Sequence, residues 1–440
     1  MPEVTEAKTH HALVRITHWL MLPVLIGLIM SGLSIYWAAP VYGRGFPPWF
    51  YDRFSFGRQI LAIALGLHWL FAYLFMLCGV LYVIGALLGG GWKALLPRRG
   101  DVREQLAMVR YYTRIDKQHP VITTKYNALQ RAAYLSIPIF GVIAVASGWA
   151  MHKPVQFWWL ERLFGSYDGA RIVHFWTMWY FVIFVIPHVI LVIVDGWQTF
   201  RSMVTIDHAR RDFLLLGAGV VASLVGFRMF KRGRYPRSML TFDDYVAEAL
   251  YSPTRSVRTY SKRDVTPLKN NYEGKTPGPE YLGTWTLKVS GLASSDAELR
   301  LEDLLRFARH EQVTRLVCVE GWSAIAWWGG LRFADFLAAY PPMPGARWAY
   351  LISDVNLDWR GNPDPYYVSI DLDTARHAQT LLATHHDGAP LSIAHGAPLR
   401  LVVPMKLGLK NIKAITRIAY SREEPADYWG QRGYSNYDGL

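Results

Sequence analysis

Four of the fourteen histidines, His18, His68, His174 and His188, lie inside long apolar runs of the chain. An ionisable ring in such a run either bridges packed helices by a hydrogen bond or serves chemistry. Spacing favours chemistry for the set. His174 and His188 are fourteen residues apart, so on one helix they differ by about 21 Å in height and only about 40° in azimuth. They face one seam at two depths. With successive runs crossing a membrane in alternate directions, His68 shares the depth of His174, and His18 that of His188. The result is two pairs of neutral imidazoles stacked across a bilayer, each the axial ligand set of a six-coordinate haem iron. Zinc would recruit a third or fourth ligand at the same depth, and none is available there. Gly27, Gly32, Gly66, Gly141 and Gly148 lie nearby. They would let a flat macrocycle, or equally a neighbouring helix, approach the backbone.

A second constellation lies in the other half of the chain. Cys318, in "RLVCVEGWS", ends an apolar β-like run before a glycine-containing turn. A lone cysteine is by itself a small hydrophobe. This one is accompanied by "HGAPLRLVVPMKLGLKNIKAI", with His395, Arg400, Lys410 and Lys413 around turns, and by "KNNYEG" (Lys269–Gly274). Arginine offers a planar fork and lysine a point charge to a phosphate, while amides and a phenol can read a heterocycle. A soft thiolate beside such a cradle points to a metal held through an organic cofactor. The basic residues alone would equally make a solvated sheet edge.

These two sets need different scaffolds. Runs near residues 14–38, 59–88, 128–151 and 172–195 are each long enough to cross about 30 Å of hydrocarbon. The 440-residue chain is 52% hydrophobic and 18% charged, with a mean hydropathy of +0.10, as expected when part of it lives in lipid. Its net charge of +13 follows topology: Lys93–Arg131 carries nine Lys or Arg, Lys153–Arg171 only three. By the positive-inside rule the N-terminus and the basic segment are cytoplasmic. No nucleic-acid footprint is expected. The opening "MPEVTEAKTHHALVRITHWL" is polar before the first run, and no cleavable signal is expected in it. Cys78 and Cys318 are the two cysteines, and no disulfide framework is expected.

Midway, "HARRDFLLLGAGVVASLVGFRMFKRGR" carries the pair Arg210–Arg211 before a fifth, shorter run, Phe213–Phe230. The pair reads as an internal export signal or as a stop-transfer charge cluster. Four crossings return the chain to the cytoplasm, and the fifth carries everything after Lys231 outward. From there Pro, Asp and Gly become frequent, and short β-rich runs appear: "TWTLKVSGL", "TRLVCVEGW", "RWAYLIS" and "APLRLVVPM". An amphipathic helix is predicted over "AELRLEDLLRFARH". The expected organisation is a four-helix haem bundle over 1–205, the signal and fifth helix over 206–235, a linker over 236–264, and a soluble α+β domain over 265–440.

Residues about 10–200 resemble the di-haem cytochrome b subunits of membrane hydrogenases and formate dehydrogenases, through "RITHWLM", "LGLHWLF" and "RIVHFWTMWYFVIFVIPHVI". The resemblance implies two b-type haems and electron exchange between a membrane quinone pool and a partner redox centre. Residues about 265–430 resemble the sulfite-oxidase-type molybdopterin domain, and within it the periplasmic methionine sulfoxide reductases, most tightly at "CVEGWS" and "HGAPLRLVVPMKLGLKNIK". This implies that Cys318 supplies a thiolate to molybdenum. It further implies that Asn271, Tyr272, Ser353, His395, Arg400, Asn411, Ile412 and Lys413 hold the molybdopterin. Ser353 stands where the reductases carry another hydroxyl residue, and His395 where they carry an amide. The expected activity is quinone-linked oxygen-atom transfer to or from a small oxo-substrate or an oxidised protein side chain. The first expectation is S-oxide or N-oxide reduction. The alternatives are a sulfite-type dehydrogenase delivering electrons to quinone and a non-catalytic electron-transfer protein. The resemblance also implies that "RRDFLLLGAGV" is an uncleaved twin-arginine signal, which would carry the folded head across the bacterial inner membrane to its outer side.

Overall fold

The computed structural model describes residues 11–58, 60–122, 124, 126–194, 237–270, 277–358 and 362–435. Arg210–Arg211, the run Phe213–Phe230, Asn271 and Tyr272 lie outside them.

The apolar runs form helices because backbone polar groups in lipid must be satisfied within the segment. They are α1 (Ala12–Ala38), α2 (Leu61–Leu88), α3 (Ala128–His152) and α4 (Tyr167–Val194). All four are long and apolar enough to cross a membrane. Helix α4 begins five residues before the expected start. Pro23, Pro138 and Pro187 lie inside α1, α3 and α4, as membrane helices tolerate. Outward-facing side chains stay apolar where they are exposed, Val80, Val142 and Ile193 among them. That is the surface lipid requires. Small residues allow close packing: a Cβ on Gly85 of α2 would lie 2.8 Å from the Leu13 Cβ and 3.1 Å from the Val14 nitrogen of α1. Arg131, near the start of α3, is buried and paired with Asp101 and Glu104, the latter at 3.4 Å.

The chain divides into two compact units, and the second takes in Trp149–Asp168 and Leu61–Ile63 along with Thr241–Leu440. Its soluble part is built on two sheets. The first has the order β2-β1-β10-β5-β6, the second β3-β4-β7-β8 with β9 also on β7. The strands are β1 (Leu287–Gly291), β2 (Ala297–Leu299), β3 (His310–Val317), β4 (Ser323–Arg332), β5 (Trp348–Asn356), β6 (Pro365–Asp371), β7 (Leu381–His386), β8 (Ala389–Pro390), β9 (Arg400–Val402) and β10 (Ile415–Ser421). Among these described strands, only β1 and β10 pair in parallel. Alternation along each strand sends one face inward. Val289, Ile418, Leu351 and Val368 therefore form an apolar row across four paired strands, all within the main core.

Two sequence expectations change here. The helix expected over 297–310 is realised as β2 followed by one short helix, Leu301–Leu305. Pairing of Leu299 with Leu287 satisfies the backbone of the first residues. The Arg300–Asp303 capping box then starts the helix late. The stretch expected as a linker contains a helix, Arg237–Leu250, and then packs on the head. The Tyr251 hydroxyl meets Thr374 Oγ1 at 2.5 Å, and the Gln379 side-chain amide bonds both N–H and C=O of Val257 at 2.8 and 3.0 Å.

Within the second unit, Arg315 Nη1 of β3 pairs with Glu161 Oε1 at 2.8 Å, with both side chains about nine-tenths buried. Tyr167 packs with Val317, Leu407 and Leu409. Removing one partner of a buried pair leaves an uncompensated charge and costs about 3–5 kcal/mol. Arg315→Ala should accordingly lower the thermal midpoint of the second unit by several degrees, read from its own unfolding transition. A midpoint equal to the parent's would mean that the pair is solvated.

Candidate cofactor sites

In the membrane unit the two expected histidine pairs come together. The His68 and His174 ring centroids are 6.1 Å apart, as are those of His18 and His188. Two metal–imidazole bonds of about 2.0–2.1 Å in line, plus the two half-rings, come to roughly 6 Å between centroids. The geometry therefore fits one iron between each pair.

Hydrogen bonding sets the tautomer of the first pair. His174 Nδ1 lies 3.1 Å from the Ala144 carbonyl oxygen and 3.0 Å from Ser147 Oγ. A carbonyl only accepts, so Nδ1 carries the proton and the lone pair sits on Nε2, the arrangement a metal-ligating imidazole needs. His68 is held likewise: Ser31 Oγ is 3.0 Å from its Nδ1 and donates its own proton to the Gly27 carbonyl oxygen at 2.7 Å. The hydroxyl is then the acceptor, and Nε2 again has the lone pair. Each serine precedes a glycine that gives the ring room. A Cβ on Gly32 would lie 3.6 Å from His68 Cε1, and one on Gly148 3.4 Å from His174 Cε1. Ser31 and Ser147 were not among the expected site residues. Their signal is the repeated Ser-Gly dipeptide on α1 and α3. His188 stacks on Phe184 at 5.5 Å, and His18 meets Trp19 edge-on.

In the second unit Cys318 follows the last residue of β3, in a tight turn. Its N–H donates to the Trp322 carbonyl at 2.8 Å, and its own carbonyl accepts from the Gly321 N–H at 2.9 Å. Gly321 sits at φ +87, a left-handed conformation that glycine adopts without strain. The loop after β9 presses on this turn: a Cβ on Gly408 would stand 3.4 Å from the Val317 oxygen and 3.7 Å from the Cys318 Cα. Burial pushes the Cys318 thiol up to about 12, with the Glu320 carboxylate adding to the shift. Such a thiol is inert alone and becomes a thiolate only beside a strong cationic charge, which a bound metal supplies.

The cradle residues are tied together by their own backbone. Arg400 Nη1 donates to the His395 carbonyl at 2.9 Å, Lys413 Nζ donates to the Ala394 carbonyl and to Asn270 Oδ1 at 3.0 Å each, and Ser353 Oγ donates to the Lys413 carbonyl at 2.5 Å. Arg400 also lies over the Trp328 ring at 4.5 Å. Two neighbouring histidines carry buried ring nitrogens without a hydrogen-bond partner, His395 Nδ1 and His386 Nε2. Buried polar atoms are rarely left so, and two of them beside Arg400 and Lys413 fit an anionic, hydrogen-bonding organic cofactor. The other expected residues play supporting parts. Asn411 spends its side chain on Val403 N–H and the Leu407 carbonyl, and the Ile412 side chain lies in the core. Lys410 does not face the cradle; it is buried in a 2.6 Å ion pair with Asp427. The Tyr366 phenol, absent from the sequence expectations, is buried and donates to the Leu409 carbonyl.

Burial, reinforced by Arg400, pulls Lys413 down to about 7, against about 10.4 in an unfolded chain. Between those values the unfolded state binds more protons, so stability of the cofactor-free protein rises with pH. Lys406, pulled to about 7 by burial, acts in the same direction. Lys413→Met should remove its share of the gain between pH 7 and pH 9, read as thermal midpoints of cofactor-free protein. An unchanged slope would mean that Lys413 keeps its charge.

Comparison with known proteins matches this division. Residues 9–205 match the family of prokaryotic cytochrome b561, and residues 273–429 the oxidoreductase molybdopterin-binding domain. A subunit named YedZ1 from Azospira oryzae, assigned by name to a protein-methionine-sulfoxide reductase, is 35% identical over 207 residues, 46% of this chain and 75% of its own length. The protein-methionine-sulfoxide reductase catalytic subunit MsrP of Xanthomonas axonopodis pv. citri is 35% identical over 189 residues, 40% of this chain and 59% of its own. The MsrP of Campylobacter jejuni is 30% identical over 248 residues, 52% of this chain and 78% of its own. Fold and sites thus define a membrane-bound, molybdopterin-dependent oxidoreductase coupled to a cytochrome b. The chain belongs to the family of the YedZ1-type and MsrP-type subunits, with the two fused in one polypeptide.

Proposed function

We propose that this chain draws electrons from membrane quinol and uses them to reduce an S-oxide, methionine sulfoxide in oxidised proteins first among them. The observation that carries the reading is the presence, on one chain, of two imidazole pairs spaced for iron and, in the second unit, a buried thiol turn and a cationic cradle. The names of the MsrP relatives supply the substrate class.

In this reading His68 and His174 hold one b haem and His18 and His188 a second. Ser31 and Ser147 fix the outer rings. Cys318 gives its thiolate to molybdenum, Arg400 and Lys413 receive the cofactor's phosphate, and His395, Ser353, Asn411 and Ile412, with Asn271 and Tyr272, complete the cradle. The bound haems and molybdenum supply one-electron transfer and oxygen-atom transfer respectively. The protein's part is to hold, orient and dehydrate. Overall, the sulfoxide consumes two electrons and two protons and yields sulfide and water. The experiment that tests the reading is reoxidation of quinol-reduced haem by sulfoxide in the purified full-length chain; haem that stays reduced would overturn it.

The head is assigned to the outer face of the inner membrane. It shares one compact unit with Trp149–Asp168, which overlaps the lysine- and arginine-poor loop, and the charge bias of the loops puts that loop outside. Export of a folded, cofactor-loaded head fits a twin-arginine signal at Arg210–Arg211. Changing both to lysine keeps the charge, so haem content should stay at the parent level while the head remains protected from protease in spheroplasts. A head still cleaved from outside would reduce the pair to a stop-transfer cluster.

A further inference from the structure

We propose that His386 is a further residue holding the organic cofactor, forming with His395 a wall of two imidazoles on the cradle. The inference rests on reading that cradle as the molybdopterin site. His386 ends β7, and His395 ends the short turn Ile393–His395. Their ring centroids stand 5.0 Å apart. Both present a ring nitrogen that is shut off from solvent and lacks a hydrogen-bond partner, Nε2 of His386 and Nδ1 of His395. One such atom could be an accident of packing. Two on adjacent rings define a surface that awaits a polar ligand, since an unmade buried hydrogen bond is costly.

The same wall carries the cationic groups. The buried Trp328 ring lies under the Arg400 guanidinium at 4.5 Å and meets the His386 ring at 4.9 Å. Arg400 in turn bonds the His395 carbonyl. His386, Trp328, Arg400 and His395 are therefore one contiguous set. Burial, then the neighbouring His386 ring and the charges of Lys413 and Arg400, pull His395 down to about 4, and burial pulls His386 down as well. Neutral rings face the ligand. The Asp387 carboxylate, 3.6 Å from His386 Nδ1, favours the proton there and leaves Nε2 as an acceptor. The ligand group that fits is an N–H or amino donor, such as a pterin ring carries, with Arg400 and Lys413 left to the phosphate.

The test uses full-length parent, His386→Ala, His386→Phe and Arg400→Ala, each made in a host that assembles molybdopterin and in one that cannot. Pterin is measured as its fluorescent oxidation product, molybdenum by elemental analysis, and the gain in thermal midpoint on loading by comparing the two preparations. His386→Ala should keep its haem and the cofactor-free midpoint of the parent, yet lose pterin about fivefold or more, with a smaller gain on loading. His386→Phe keeps a ring against Trp328 without nitrogen, and should fold and lose pterin equally, which decides the matter if the alanine variant does not fold. Parent-level pterin and loading gain in His386→Phe, with pterin lost in Arg400→Ala, would overturn the role of His386 alone. Pterin retained in Arg400→Ala as well would overturn the reading of the cradle itself.

Discussion

Replacing His174 with alanine should remove one haem and leave the other, so that a pyridine haemochrome assay finds about half the parent's haem per protein. His174 faces His68 at 6.1 Å between ring centroids, while His188, fourteen residues along α4, faces His18 at the same separation. About 21 Å of helix separates the two positions, so losing one ligand need not disturb the other pair. His68→Ala should lose the same haem as His174→Ala, while His18→Ala and His188→Ala lose the other, and redox titration should tell the two classes apart. Ser147→Ala should leave haem content near the parent's and shift the potential of the haem proposed at His68 and His174, because the serine meets the Nδ1 side of the ring rather than the proposed iron-facing nitrogen. Loss of both haems from all four histidine variants would point to collapse of the bundle, and unchanged content would remove the histidines from the ligand set.

The second large effect is expected at Cys318. Serine replaces a soft thiolate with a hydroxyl, a poor ligand for a thiolate-seeking metal. The change is local, because the turn is held by backbone bonds from Cys318 to Trp322 and Gly321, and Arg400 and Lys413, the groups proposed to receive the phosphate, are fixed by carbonyls of their own. Cys318→Ser should therefore fold, keep both haems and retain much of its pterin. Quinol should reduce its haems at close to the parent rate. Reoxidation of those haems by an oxo-substrate should slow roughly a thousandfold or more, about 4 kcal/mol in barrier height. Equal reoxidation in variant and parent would make Cys318 a packing residue and put the electron outlet elsewhere.

The membrane half is the more legible in sequence, for a physical reason. Lipid imposes length and apolarity on each crossing, so α1 to α4 differ from the expected runs by a few residues at most, apart from the earlier start of α4. Rigid helical periodicity then carries the histidine spacing directly into space. What stayed hidden was the ring-orienting shell, since Ser31 and Ser147 are single polar residues whose partners lie 37 and 27 positions away.

In the head, local pattern misled where long-range pairing won. "AELRLEDLLRFARH" is amphipathic, yet Ala297–Leu299 joins β1 as an edge strand, because the pairing satisfies the backbone groups that face β1. Strands β4, β6 and β7 escaped notice because their partners are set by the fold rather than by neighbouring sequence. The "HGAPLR" and "NIK" segments pointed to a cofactor cradle, and the structure divides the labour among their residues. Arg400, Lys413 and His395 present polar groups, while Asn411, Ile412 and Ser353 hold the loop that carries them. His386 was invisible because only folding brings β7 beside the His395 turn.

The most direct test of the central claim is stopped-flow haem spectroscopy of the purified full-length chain, reduced with a slight excess of quinol under anaerobic conditions. Mixing with a peptide containing methionine sulfoxide should reoxidise the haems rapidly, in proportion to the sulfoxide added and with methionine as product. Mixing with sulfite should leave them reduced. Haems that remain reduced with sulfoxide, while oxidised protein is reduced by sulfite, would contradict the account and reverse the direction of electron flow.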